Sequence, residues 1–253
     1  MTNSMVGALL ASVILLAAAV WFVRGAERVP GRLQSLIELP IEWIAGIVRG
    51  TGGKRWAEFA GLVIAIFLFV LVANYIGLFP GVGTIGLVHE GEHGEPTLVP
   101  IVRAAAADLN FTLGLAIIAF VAFVAWGIRA NGVRGYLKEL LIAEPAYMTP
   151  LLTPIHIISE LSRLISLSMR LFGNVFAGEV LLAVILGLVP LLVPLAFLGL
   201  ELIFGFVQAL VFALLTMTYI TLAIAEHRQH ESASSHAGAE PEHKEASPAA
   251  GSA

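Results

Sequence analysis

Three runs without a single charged residue mark the first half of the chain: Met5–Val23, Phe59–Phe79 and Leu109–Ile128. Each holds about 20 residues, which as α-helix rises roughly the 30 Å of a hydrocarbon core. The first run has no basic segment ahead of it and is too long for a secretory h-region, so it reads as a membrane span. Two longer apolar stretches follow, Pro154–Val189 and Leu195–Ala225, separated by Pro190-Leu-Leu-Val-Pro194. As helices they would measure about 54 and 47 Å, well beyond a perpendicular crossing. They are therefore either steeply tilted or broken, and Gly173, Gly178 and Gly187 permit a bend without demanding one. The expected fold class is an all-α polytopic membrane protein with about five membrane segments.

Composition agrees with the pattern. Of 253 residues 58% are hydrophobic and only 13% charged, about half the charged fraction of a soluble domain, and the mean hydropathy is +0.90. The net charge of −4 offers no basic face for nucleic acid. With no cysteine there is no disulfide framework or Cys-ligated metal site. Loop charges set an orientation. Arg24, Arg28, Arg32, Arg49, Lys54 and Arg55 lie between the first two runs, Arg103 alone before the third, and Arg129, Arg134 and Lys138 after it. The positive-inside rule then puts the N-terminus outside, loop 80–108 outside and the C-terminus in the cytoplasm. Residues 226–253 are polar and low in complexity, and are expected to be a disordered tail.

His89-Glu90-Gly91-Glu92-His93 spells the H-E-x-x-H of zinc metallopeptidases. That chemistry needs both imidazoles one helical turn apart, and the glycines and Pro96 around the motif oppose a helix. A membrane-anchored zinc peptidase is the alternative function; an acidic external loop is the favoured account, with no metal site and no cofactor expected. A P-loop is absent as well, so the chain is not a nucleotide-binding part.

Five charges stand inside the long apolar stretches: Glu160, Arg163, Arg170, Glu179 and Glu201. Intramembrane charges cost at least about 2.5–3.5 kcal/mol and mark ion paths or relays. For Glu160 and Arg163 an internal salt bridge is an equal alternative. Measured along the helix axes from the Pro190–Pro194 turn, Glu201 lies at about 10 Å, Glu179 at about 16 Å, Gln208 at about 21 Å and Arg170 at about 30 Å. Asn174 shares a face with Arg170 one turn away, and Glu179 lies on the opposite face of the same helix. Glu201, Gly205, Gln208, Phe212 and Tyr219 form one stripe, either a packing face or one wall of a polar passage. The passage is favoured, since the two glutamates lie at similar depths. Carboxylates can exchange protons when burial raises their pKa values, whereas arginine stays charged. A chain of such groups interrupted by a cation resembles two half-paths with an electrostatic gate between them.

The stretch Ser166-Leu-Ser-Met-Arg170-Leu-Phe-Gly-Asn174-Val-Phe-Ala-Gly-Glu179 resembles the signature of subunit a of the F-type ATP synthase, its membrane proton-channel subunit. Asn74-Tyr-Ile-Gly-Leu-Phe-Pro80, Asp108-Leu-Asn-Phe-Thr112 and Gln208-Ala-Leu-Val-Phe212 support the match, which covers roughly residues 57–227. The resemblance implies three parts: a span and basic linker over 1–56, the channel domain over 57–227, and the tail over 228–253. It implies that Arg170 is the essential arginine facing a ring of c subunits, against which the last two helices lie tilted as a hairpin. Glu179 and Glu201 match the extracytoplasmic relay pair, the second being histidine in some members. Asn174 and Gln208 match polar residues near the arginine, and Asp108 with Asn110 a polar pair near the extracytoplasmic entrance. Glu160 matches the cytoplasmic exit, where many members carry glutamate in place of His156. The implied partners are the c ring, the peripheral-stalk b subunits and the lipid bilayer, in a bacterial plasma membrane. Whether the ion is H⁺ or Na⁺ depends on the ring's own site.

Overall fold

A computed structural model describes residues 3–25, 31–79, 82, 86–90, 96–100, 102–141, 149–189 and 192–237. It contains six α-helices: α1 Asn3–Gly25, α2 Arg32–Thr51, α3 Trp56–Leu78, α4 Leu109–Leu141, α5 Thr149–Leu188 and α6 Val193–Ala237. Five segments are long and apolar enough to cross a membrane: Asn3–Gly25, Trp56–Leu78, Leu109–Ala130, Thr153–Leu188 and Val193–Ile224. The five-span, polytopic expectation therefore holds, and both long stretches are single continuous helices, not broken ones.

Local chemistry explains several boundaries. Arg55 and Glu58 pair at 2.7 Å across the first turn of α3, where an acidic side chain also suits the helix dipole. That helix stops at Leu78 because Phe79, held extended at φ −64° and ψ 129°, precedes Pro80. In α4 the helical backbone is interrupted at Gly132, with φ 72° and ψ 157°, just past the membrane-length segment.

The core forms where the apolar faces of α3, α4, α5 and α6 meet. Phe59, Val63, Phe67 and Val70 repeat every three or four residues on α3, and Ala209, the adjacent Phe212 and Ala213, Met217 and Ile220 keep the same i, i+3/i+4 face on α6. Trp43 of α2 closes this region, with ring centroids 6.4 Å from Phe67 and 5.7 Å from Phe206. On the outward sides, Ile158, Leu161, Ile165, Met169, Val180 and Val184 of α5, with Leu202, Ile203 and Val207 of α6, stay exposed. Such continuous apolar exposure suits lipid or another apolar surface.

The structure departs from the sequence expectations at three places. The basic linker of 24–58 contains α2, whose Ile44 and Val48 are fully buried against α3. Helix α6 runs to Ala237, into the segment expected to be tail; extending a formed helix costs far less than nucleating one, and residues 226–237 include four alanines and glutamates that favour it. Residues 238–253 lie outside the described residues. Between α3 and α4 the chain forms an antiparallel hairpin, β1 Gly86–Glu90 with β2 Pro96–Pro100, so the all-α class applies to the membrane part.

Candidate functional site

A cavity of about 710 Å³ opens on the hairpin side of the bundle, between α3, α5, α6 and the segment leading into α4. Asn174 and Glu179 of α5 and Glu201 of α6 line it, together with Asn74 of α3 and Arg103. The remaining wall is largely leucine, alanine, phenylalanine and glycine. In such surroundings the polar groups interact more strongly than in bulk water.

Glu179 is held by Arg103. The guanidinium Nε donates to Oε1 at 2.9 Å and to Oε2 at 3.0 Å, and Nη2 donates to Oε2 at 2.8 Å. Two nitrogens on two oxygens is the fork geometry that makes arginine–carboxylate pairs strong. The bond to Glu179 pushes the Arg103 guanidinium further above its already high range, against the opposing effect of burial.

Glu201 is placed differently. Its carboxyl group lies over Gly178, where a Cβ would come within 2.5 Å of Oε1. Only glycine leaves room for that approach. Oε2 of Glu201 is buried without a hydrogen-bond partner among the described residues. The helix α6 is fastened to α3 within the turn that follows Glu201. The Asn74 amide donates to the Gly205 carbonyl at 3.2 Å, and the Tyr75 hydroxyl donates to the Leu202 carbonyl at 3.4 Å.

Asp108 and Asn110 do not line the cavity. Asp108 caps α4 by accepting the Asn110 backbone N–H at 2.9 Å, and it accepts the Ser4 hydroxyl of α1 at 2.6 Å. These bonds, with the Ser4 hydroxyl foremost, hold its carboxyl below the usual range. Gln208 is buried on the α6 stripe at 7% exposure, with its amide nitrogen unpartnered among the described residues. Gly205 and Phe212 of that stripe are buried too, so it packs inward and meets the cavity at Glu201 and Gly205.

Arg170 sits one turn before Asn174 on α5, on an exposed face, and outside the cavity. Among the described residues no carboxylate lies within ion-pair distance of it. Further along α5, Glu160 accepts Arg163 Nη1 at 2.8 Å, and the Arg163 guanidinium lies 5.4 Å from the centre of the Tyr219 ring. His156 is exposed. Of the expected site residues, then, Asn174, Glu179 and Glu201 come together; Arg170, Glu160 and His156 follow on the same helix; Asp108, Asn110 and Gln208 flank the cavity. Arg103 is the residue that sequence reasoning missed, having been counted only as a loop charge. The one available signal was that it is the sole basic residue between the second and third runs.

The peptidase motif is not helical where it can be seen. His89 and Glu90 lie on β1, opposite Thr97 and Pro96 of β2, and His93 lies outside the described residues. Neighbouring strand residues point to opposite faces, so the helical spacing that the zinc chemistry needs is not available from His89.

Residues 5–221 match the family described as ATP synthase A chain. The chain belongs to the ATP synthase subunit a family. It is 37% identical over 223 residues to ATP synthase subunit a of Gloeobacter violaceus, covering 86% of this chain and 82% of that protein. With the subunit of Gluconobacter oxydans it shares 37% over 235 residues, 84% and 86% of the two chains. With that of Mycobacterium ulcerans it shares 34% over 236 residues, 90% and 89%. The family match takes in three of the five membrane-length segments whole and nearly all of the first and the last.

Proposed function

We propose that this protein is the proton-translocating stator subunit of an F-type ATP synthase. It provides two offset half-channels that load and unload a rotating ring of c subunits. The observation that carries this reading is Arg170, a permanent cation on an exposed face of a membrane helix with no carboxylate partner among the described residues. A charge in that position needs a counter-charge, and the ring's carboxylate supplies one. The cavity ends at Asn174, about 6 Å along the helix from Arg170, which fits an inlet that stops short of the gate.

In this mechanism protons enter from the outer, hairpin side through the cavity holding Glu201 and Glu179. They neutralise a ring carboxylate, and the neutral site can then rotate through lipid. After nearly a full turn it reaches the second half-path near Glu160 and His156 and releases its proton to the cytoplasm. Arg170 prevents direct leakage between the paths and helps displace the proton electrostatically. Asp108, which caps α4 beside the inlet, and Asn110 take their part at its rim; Gln208 and Asn174 flank the gate. Each charge crossing 100 mV contributes about 2.3 kcal/mol, so several protons are needed per ATP.

The basic residues of 24–58 and 129–138 put those segments in the cytoplasm and the N-terminus outside. Helices α5 and α6 present their exposed apolar faces to the c ring, and the peripheral-stalk b subunits and lipid take the rest. The test is Arg170→Ala in membrane vesicles holding the whole complex. Loss of ATP-driven proton pumping with assembly retained is expected; normal coupled pumping would overturn the gate.

A further inference from the structure

The two carboxylates of the inlet are equivalent in the sequence pattern and unlike in the structure. Both oxygens of Glu179 are taken by Arg103, whereas Glu201 has no cation within reach among the described residues and one buried oxygen without a partner. We propose that Arg103 is a positioning residue of the inlet: it keeps Glu179 a fixed anion and leaves Glu201, seated against Gly178, as the group that takes the incoming proton. This inference rests on the half-channel reading above and assigns the division of labour within it.

Arg103 is built in rather than draped over the surface. The residues after it form the buried turn Ala105–Ala107. Its carbonyl packs against Gly7 of α1 so closely that a Cβ at that glycine would overlap it. On the next residues, Ser4 ties α1 to Asp108. The backbone that aims the guanidinium into the cavity is thus braced from two sides, and Arg103 and Glu179 are both about half-exposed to the cavity.

Among the described residues the charged groups facing Glu179 are few. Arg103 comes from the segment before α4 and Glu201 from α6, Asp108 stands behind Arg103, and the Tyr75 hydroxyl of α3 turns instead to the Leu202 carbonyl. Arg170 is nine residues away, about two and a half turns, on the opposite face of α5. A fixed Glu179–Arg103 pair is neutral overall, so it does not repel a hydrated proton from the inlet. In the step itself, a proton from water on the outer side adds to a Glu201 carboxylate oxygen. The neutral acid then passes that proton to a ring carboxylate and returns to the anion. Arg103 and Glu179 keep their protonation throughout.

The experiment uses vesicles with the whole complex and reads ATP-driven proton flux against outer pH. An opposite charge at contact lowers a carboxyl's pKa by about one to three units, so removing it raises the pKa by as much. Arg103→Gln is expected to move the profile to higher pH by roughly one unit or more, and Arg103→Lys by clearly less. Combining Arg103→Gln with Glu179→Gln is expected to abolish the shift, because nothing is left for the cation to hold. An assembled Arg103→Gln complex with an unmoved profile overturns the proposal, as does the same shift in the double variant.

If Arg103→Gln does not assemble, difference infrared spectra of the wild-type complex decide. The protonated carboxyl band that appears as outer pH falls should vanish in Glu201→Gln and persist in Glu179→Gln; the reverse overturns the assignment. Arg170→Ala in the same vesicles separates the two levels. Retained pumping there removes the half-channel reading, whereas lost pumping with a silent Arg103→Gln removes only the role of Arg103.

Discussion

Both ends of α5 hold a glutamate paired with an arginine, yet the two pairs are built in different ways. Toward the hairpin side, Glu179 is gripped by two nitrogens of an arginine 76 residues away, on another element, in the wall of a cavity. Toward the other end, Glu160 meets Arg163 one turn along the same helix, through a single 2.8 Å bond. The local pair spans one turn of a single helix, a spacing that puts opposite charges on the same face. The distant pair exists only when α1, the turn before α4, and α5 are all in place. It is a product of the fold and is suited to set a functional charge. The local pair is suited to quieten two charges that would otherwise cost energy on their own.

The sharpest way to break this comparison is to disturb the hairpin-side site without touching a charge. Gly178→Leu puts a side chain where the Glu201 carboxyl now lies. Displacing a reacting group by about 1 Å can cost on the order of a hundredfold in rate. Proton flux in vesicles should fall by about that factor while the complex still assembles. Gly187→Ala is the control on the same helix and the same cavity, since a Cβ there meets nothing within 4 Å. Its flux should stay within about twofold. Full flux in Gly178→Leu would show that the position of Glu201 is unimportant.

What the chain pattern revealed, and what it hid, follows the same line. Spans could be read because absence of charge over about 20 residues is a one-dimensional signal. The continuity of α5 and α6 was undecided, because glycines such as Gly173 allow a bend and only packing along the helix settles whether it occurs. Helix α2 was hidden for a different reason. Its apolar positions Ile44 and Val48 follow helical spacing, but Pro40 and the surrounding arginines made the segment look like linker. The polar residues of the site were legible one at a time, Glu179 and Glu201 by their cost in lipid and Asn174 by its phase. Their pairing was not. Nothing in a run of alanines after Arg103 says that its side chain turns toward a glutamate in the fourth membrane helix.

A smaller effect tests the other half of the comparison. Arg163→Gln removes one partly buried ion pair, worth up to about 1 kcal/mol, and a contact with the Tyr219 ring of about 0.5–1 kcal/mol. The thermal midpoint of the purified complex should fall by no more than a few degrees, with pumping kept within about threefold. A collapse of assembly would mean that the Glu160–Arg163 pair is as much a part of the framework as the Glu179–Arg103 pair.

The smallest expected effect concerns the brace behind Arg103. Asp108 accepts the Ser4 hydroxyl and the Asn110 N–H, and both hold its folded-state pKa below the ordinary carboxylate value of about 3.9. A group whose pKa is lowered on folding contributes stability above its unfolded pKa and loses it as pH falls through the folded value. The tie between α1 and the start of α4 should therefore be constant at neutral pH and weaken only in strong acid. Ser4→Ala removes the larger of the two causes, so the folded pKa moves back toward the ordinary value. The cost at neutral pH should be below about 1 kcal/mol, since the carboxylate is partly exposed to solvent. Hydrogen exchange of α1 amides reads it directly. Protection should be lower in Ser4→Ala at neutral pH, and the gap to the wild type should close as pH drops below about 4. A gap that stays constant into acid would mean that Ser4 acts through packing rather than through the Asp108 charge.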